Sequence, residues 1–446
     1  MVAIAKVEIL EVEKYSNLAE LLGCAIDIPE TGEHKNTYTI DISGWVLGKK
    51  YPAVAIKIIN NKRMLRKIPI GNQRPELATI YPQNPKAKNC GFATSISIIG
   101  LSTEDELNLQ AVLKDQTHIP IAKIRFRHQP LRSGYQPKLQ PLIVTCVGRT
   151  GTTWLMQLLS QHPRLIVSQH YPYEVRAAQY WMQMLQVLSQ PANPQHSTPI
   201  VGFENNLNLI GHNPFYHKNV NSPETLDWYG NDYPEKLAAF CQQSIDGLYQ
   251  ALGSSQGKNF SNDGQPIYFA EKYMLNPIKT LFLELYPEGR EIILVRDFRD
   301  VVCSVIAFNA KRGYDMAGQQ QIKTDEEIIR KTGNFQARML VQRWKECSQT
   351  AFLLRYEDLI LSPVETLSQL LEYLGLENSQ TTIGTMLETA SGDTNKMEKH
   401  RTTTSAEASI GRWKSDLNPE LQELCQQVFA EALQEFGYGK SSVVEY

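Results

Sequence analysis

No apolar run in this 446-residue chain approaches the roughly 18–20 residues that a bilayer-crossing helix needs, so no integral membrane segment is expected. The N-terminus, Met1-Val2-Ala3-Ile4-Ala5-Lys6-Val7-Glu8, carries charge too early for a secretory signal, which points to a cytoplasmic protein. Cysteine is sparse and unpatterned. Cys24, Cys90, Cys146, Cys241, Cys303, Cys347 and Cys425 are odd in number and form no C-x-x-C pair. The reading is reduced thiols, several of them buried, with neither a disulfide framework nor a metal site. An excess of one charge is also missing. With 45 Lys and Arg against 47 Asp and Glu the net charge is −2, and no basic cluster marks a nucleic-acid or membrane-surface partner. Hydrophobic residues make up 42%. That is enough for cores of ordinary size, in a length that suggests two or three domains.

One stretch organises the chain. Pro141-Leu142-Ile143-Val144-Thr145-Cys146-Val147 is apolar, then breaks into Gly148-Arg149-Thr150-Gly151-Thr152-Thr153 and continues through Trp154, Leu155, Met156, Leu158 and Leu159 at helical spacing. That order predicts strand, tight loop and helix. Gly148 and Gly151 let the backbone turn without a Cβ penalty. The loop amides and the positive end of the helix then converge on one spot suited to a phosphate or sulfate. Arg149 adds fixed charge, and Thr152 and Thr153 add hydroxyl donors. A nucleoside-triphosphatase loop, G-x-x-x-x-G-K-[ST], has lysine after its last glycine. Thr152 stands there in this chain, so that lysine is absent.

The second landmark is Glu291-Ile292-Ile293-Leu294-Val295-Arg296, followed by Asp297-Phe298-Arg299-Asp300-Val301-Val302-Cys303-Ser304. It reads as a strand ending in Arg296 and a helix that Asp300 caps. Ser304 lies eight residues after Arg296, about two helical turns on. Both can reach one phosphate, Arg296 by charge and Ser304 by hydroxyl. Together with the upstream loop they point to a ligand with two separated phosphate-like groups. Three further segments carry chemistry. Gln169-His170-Tyr171-Pro172-Tyr173-Glu174-Val175-Arg176 offers two proton acceptors, His170 and Glu174, where a helix is expected to start. Pro266 to Ala270 reads as a strand ending in the charged pair Glu271-Lys272 and in Tyr273. Gly411-Arg412-Trp413 joins a cation to an aromatic ring near the C-terminus.

Arg149 to Thr153 resembles the 5′-phosphosulfate loop, (K/R)-(S/T)-G-(T/S)-T, of sulfotransferases that use 3′-phosphoadenosine 5′-phosphosulfate (PAPS). Arg296 and Ser304 resemble that family's R-(x)₇-S 3′-phosphate segment, Pro172-Tyr173-Glu174 its P-x-E base sequence, and Glu271-Lys272 its E-K-(T/S), with Tyr273 departing. Arg355-Tyr356-Glu357-Asp358-Leu359 and Gly411-Arg412-Trp413 are also similar to family segments. The resemblance implies a P-loop-like parallel α/β sheet flanked by helices. It implies PAPS as donor without a metal, and a carbohydrate or other small-molecule acceptor. The implied donor contacts are Gly148, Arg149, Thr150, Gly151, Thr152, Thr153, Arg296, Ser304, Gly411 and Arg412. Glu174, with His170 as second choice, is the implied base, and Arg149 and Lys272 are the charge stabilisers.

The resemblance begins at residue 141. Residues 1–128 show period-two runs, Tyr38 to Ile42, Val54 to Ile58, Leu107 to Val112, Ile121 to Phe126 and Thr94 to Ile98, between turn residues. They predict a small antiparallel β-sandwich, a structural module or a glycan- or protein-docking one. Residues 129–140 read as a linker and 141–446 as the α/β domain. Gly44-Trp45-Val46 is expected to end one strand, Ser362-Pro363-Val364-Glu365 to form a capping box, and Gln336 to Gln349 to be helical. The irregular stretches Ser189 to Gln265 and Ala310 to Gln336 are expected to hold substrate loops and a lid. Two other functions fit the loop less well. A kinase would want the missing lysine, and a degenerate nucleotide- and glycan-binding protein would not need Arg149, Lys272, Arg296 and Ser304 intact.

Overall fold

The computed structural model describes residues 5–15, 19–191, 232–258, 260, 266–274, 278–312, 324–392 and 402–439. Most of the expected substrate-loop stretch, and residues 313–323 of the expected lid, lie outside them. Chain contacts form two units. One comprises Met1–Tyr135, Gln179–Gln243 and Thr280–Leu285, and the other Gln136–Ala178, Ser244–Lys279 and Tyr286–Tyr446.

The first unit holds two antiparallel sheets. Its strands are β1 (Val7–Lys14), β2 (Leu21–Ile28), β3 (His34–Lys35), β4 (Thr39–Gly48), β5 (Ala53–Asn60), β6 (Arg63–Pro69), β7 (Gly91–Ser97), β8 (Glu104–Leu113) and β9 (His118–His128). The larger sheet runs β3-β1-β9-β8-β5-β6, the smaller β2-β4-β7. Alternation sets their faces. Leu107, Leu109 and Ala111 pair with Ile124, Ala122 and Ile119, and all six are buried. Between them Asn108 and Gln110 on β8 and Lys123 on β9 take the other face. Every alternating run read from the sequence is a strand or lies largely within one. β1, β2, β3 and β6 have no counterpart in the sequence reading. The Glu-rich or Gly-interrupted strands β1 and β2 give a weaker apolar signal. Trp45 does not end its strand, because β4 continues to Gly48; the indole packs with Leu47, Leu77 and Tyr81.

The second unit is built on a five-stranded parallel sheet: β10 (Gln140–Cys146), β11 (Leu165–Ile166), β12 (Tyr268–Met274), β13 (Arg290–Val295) and β14 (Phe352–Arg355), in the order β11-β12-β10-β13-β14. Successive residues face opposite sides. Ile292 and Leu294 join a core with Leu155, Leu158 and Leu370, whereas Ile293 and Val295 join one with Phe298, Leu340, Phe429 and Leu433. Helices therefore cover both faces, as a buried parallel sheet requires. From central β10 the chain runs through the Thr152–Gln161 helix to the edge strand β11. Strands β12 and β13 then flank β10 on opposite sides. The C-terminal end of β10 is thus the switch point where such sheets open a crevice.

Several local expectations are corrected. The helix near Glu174 spans Ala177–Leu188, leaving residues 169–176 as irregular chain before it. Arg355-Tyr356-Glu357-Asp358-Leu359 enters a helix at Tyr356, which runs to Leu361. Ser362 makes no side-chain cap; it also ends the preceding helix, so the N–H that a capping box would offer to Glu365 is given to Asp358 O at 2.8 Å. The Arg338–Cys347 helix follows a π-turn over Thr332–Ala337 rather than starting cleanly at 336. Asn418 does cap the last helix, Pro419–Glu435, through Leu421 N at 2.9 Å. All seven cysteines are free and six are buried. Among the described residues no helix is long and apolar enough to cross a membrane.

Candidate active site

A cavity of about 900 Å³ opens at the C-terminal ends of β10, β12 and β13. The loop after β10 turns through two left-handed residues, Arg149 at φ 70° and Gly151 at φ 84°. Gly151 is needed twice over. Its φ disfavours any side chain, and a Cβ would lie 2.3 Å from the Tyr356 ring. Gly151 is also the N-cap of the Thr152–Gln161 helix, whose first amides face the cavity end.

The two sequence landmarks meet here. Arg149 Nε donates to Ser304 Oγ at 3.1 Å, and its guanidinium lies over the Phe308 ring, 4.4 Å from the centroid. Burial, with the nearby charge of Arg296, pulls the Arg149 pKa down to about 10. Arg296 donates to the carbonyls of Arg149 (3.2 Å) and Ser409 (2.6 Å) and lies over Tyr356, 4.6 Å from the centroid. Its Nε is buried without a hydrogen-bond partner. Ser304 comes from the Phe298–Arg312 helix that follows β13.

The neighbouring strand β12 divides its charges by pleat. Lys272 and Glu271 are consecutive, so they face opposite sides of the sheet. The pair is not exposed: both residues are buried. Lys272 Nζ meets Glu174 Oε1 at 3.0 Å, Pro172 O at 2.9 Å and Thr153 Oγ1 at 3.4 Å. Burial lowers the Lys272 pKa, and Glu174 opposes the shift. Glu174 is half exposed on the cavity side. Glu271 takes hydrogen bonds from the hydroxyls of Tyr249 and Tyr273 and from Ala178 N at 2.8 Å. It thereby fixes the start of the Ala177–Leu188 helix, right after the Pro172–Arg176 segment. Tyr273, where the sequence pattern wanted a small hydroxyl residue, serves Glu271 instead. Cys146 also lines the cavity, but burial pushes its thiol up to about 12, so it is no nucleophile at neutral pH.

Of the other residues read from the sequence, Gly148, Thr152 and Thr153 line the cavity. Thr150 does not; its hydroxyl donates back to Val147 O at 2.9 Å and locks the turn. His170 is exposed and outside the lining, and its carbonyl accepts from Tyr173 N. Gly411 and Arg412 stand behind the lining. Arg412 pairs with Asp416 at 2.6 Å and reaches the cavity through Thr402 at 3.0 Å. Asp300 does not cap its own helix. It lies within the helix's first turn and accepts from Gly411 N (2.7 Å) and Trp413 N (3.0 Å). Burial raises its pKa to about 6, and these two amide bonds oppose the rise. Sequence reasoning missed Tyr356, Phe308, the Thr402–Ser409 wall and the cavity cation Arg176. The glycine at 151 was the only local signal for Tyr356, because a close approach demands a missing side chain.

The profile of the sulfotransferase family matches residues 141–381, more than half of the chain. The chain belongs to the sulfotransferase family. Residues 1–128, with their antiparallel sheets, lie outside the match. No curated protein matches. Among solved structures, mouse sulfotransferase SULT7A1 complexed with PAP is similar at 12% identity and TM-score 0.38, over 68% of this chain and 87% of its own. The sulfotransferase domain from the curacin biosynthetic pathway is similar at 17% and 0.36, over 66% and 98%. That of the Synechococcus PCC 7002 olefin synthase is similar at 18% and 0.35, over 68% and 98%.

Proposed function

We propose that this chain transfers a sulfuryl group from PAPS to a hydroxyl or amine of a small-molecule or carbohydrate acceptor. One observation carries the reading: Arg149, Lys272 and Arg296, from or just after three adjacent parallel strands, converge on one cavity beside a helix N-terminus. The residues present suit an anionic donor. Arg296 keeps a buried Nε unbonded, and the loop amides and hydroxyls of Thr152 and Thr153 add neutral donors.

In this reading Arg149 exchanges its Ser304 contact for the donor's phosphosulfate, while Arg296 and Ser304 hold the 3′-phosphate. Glu174 accepts the proton of the acceptor O–H or N–H as that atom attacks sulfur in line. The new bond is acceptor to sulfur, and the bond that breaks joins sulfur to the bridging phosphate oxygen. Lys272 and Arg149 stabilise the charge that grows on that oxygen, which leaves as part of 3′-phosphoadenosine 5′-phosphate (PAP). Lys272 also holds Glu174 in place before the acceptor arrives. The cations and amides neutralise the leaving group, so no metal ligand set is called on.

Calorimetric titration with PAP, ATP and AMP, with and without magnesium, tests this. PAP is expected to bind at micromolar concentration without magnesium, with a roughly 10- to 100-fold loss in Arg296→Ala. Arg149→Ala is expected to remove nearly all transfer without unfolding the chain. Magnesium-dependent, ATP-selective binding would replace the reading with a kinase, and binding of none of the three with a nucleotide-independent role.

A further inference from the structure

Arg176 lines the cavity, yet the donor scheme above gives it no task. Its Nε is buried without a hydrogen-bond partner, and among the described residues it makes no ion pair. Its position makes that costly. It immediately precedes the Ala177–Leu188 helix, where the macrodipole disfavours a cation. It also stands close enough to Lys272 to push that amine's pKa further down. The fold does not use Arg176 to close this helix, because Glu271 already receives Ala178 N. A guanidinium held partly desolvated, beside another cation and at the wrong end of a helix, gains from an anion that arrives from outside.

The cavity's charges form two groups. Arg149 and Arg296 are linked through the Arg149 carbonyl, with Ser304 and Ser409 around them. Arg176 belongs with Lys272 and Glu174, at the end of β12. This second group is where the proposed proton acceptor stands. Trp154, Leu359, Ile360 and Leu387 give the same cavity an apolar wall. We propose that Arg176 selects the acceptor, and that the acceptor is a hydroxy acid: an apolar body carrying a carboxylate that pairs with the Arg176 guanidinium while its hydroxyl lies against Glu174. The two Nη groups of a planar guanidinium match a carboxylate's two oxygens. This inference rests on the PAPS reading and adds the acceptor class to it.

The test offers the enzyme and PAPS a panel of matched pairs, each hydroxy acid beside its own methyl ester. 3-Hydroxydecanoic acid and 4-hydroxyphenylacetic acid are two members. PAP release is followed, and PAP affinity is measured on the same samples. Acids are expected to exceed their esters by about 10- to 100-fold in kcat/KM, as a charge-assisted pair implies. Arg176→Gln should erase that preference mainly through KM, Arg176→Lys should restore part of it, and PAP affinity should not change in either. Equal use of esters, an acid preference that survives Arg176→Gln, or a panel with no accepted acid while PAP binds normally would each overturn the assignment and leave the donor reading standing. Weakened PAP binding in Arg176→Gln would overturn it by moving Arg176 to the donor site. Failure of the wild-type protein to bind PAP would remove the reading beneath it.

Discussion

In the antiparallel unit, cations are answered by carboxylates across the strands. Lys123 meets Glu106 at 3.2 Å, Arg125 meets Glu11 at 3.2 Å, and Arg127 meets Glu104 at 3.0 Å, all on the wet face of the larger sheet. In the parallel unit's cavity, Arg296 faces carbonyls with one nitrogen unbonded, and Arg176 has no hydrogen bond at all among the described residues. The first arrangement satisfies charge at the surface, where each pair is worth little. The second keeps charge partly desolvated and open, which costs stability and is sustained where a ligand supplies the counter-charge. Composition hides this difference, since the whole chain is almost neutral.

Substitutions in the two regions should therefore differ sharply. Gly151→Ala is expected to do the most damage. Between the strained φ and the overlap with Tyr356 it should cost about 2–4 kcal/mol of stability, and PAP binding should fall with it. Denaturant melts and calorimetry on the variant read both; a stable variant with normal PAP affinity would mean the loop can rearrange. Glu174→Gln should slow the chemical step about 100-fold or more in single-turnover assays while keeping PAP affinity, and His170→Ala should do little. The reverse result would make the exposed histidine the base.

Asp300 gives a pH signature. Its folded pKa, near 6, lies above its ordinary 3.8, so the folded state binds the proton more tightly than the unfolded one. Stability contributed by that proton is present below about pH 4 and is lost as pH rises to about 6, by up to about 3 kcal/mol. Asp300→Asn should flatten that decline relative to wild type in unfolding curves recorded between pH 4 and 7. Parallel curves for the two proteins would rule it out. The smallest effect belongs to the β unit. Arg125→Ala should shift stability by less than about 1 kcal/mol and leave PAP affinity alone. A large loss there would show that the surface pairs matter more than their exposure suggests.

Much of the site was legible because its parts are local. Gly148 to Thr153 are contiguous, and a strand followed by a glycine-bearing turn and a helix builds an anion cradle with neighbours only. Arg296 and Ser304 share one strand–helix unit, so helical geometry alone spaces them. The misses are of another kind. Asp300 was read as a local cap, but the amides that donate to it lie more than a hundred residues away. Ser362 had the residues of a capping box, yet its N–H closes the preceding helix on Asp358 instead. Glu271 and Lys272 read as one charged pair at a strand end, and the pleat sent them to opposite faces, both buried. His170 and Glu174 were both in reach of the chemistry on paper, and only Glu174 reaches the cavity.

The linear order of residues settled the class of fold, the antiparallel and parallel halves, and the strand–turn–helix form of two segments. Each depends on periodicity or on neighbours within a few residues. Tertiary packing settled that the two segments meet through Arg149 and Ser304, that Lys272 holds Glu174 while Glu271 holds the next helix, and that Arg176 lines the same cavity with no hydrogen bond among the described residues. Those outcomes depend on which strands lie side by side and which face each residue takes. Such relations join residues far apart in sequence, and no local pattern encodes them.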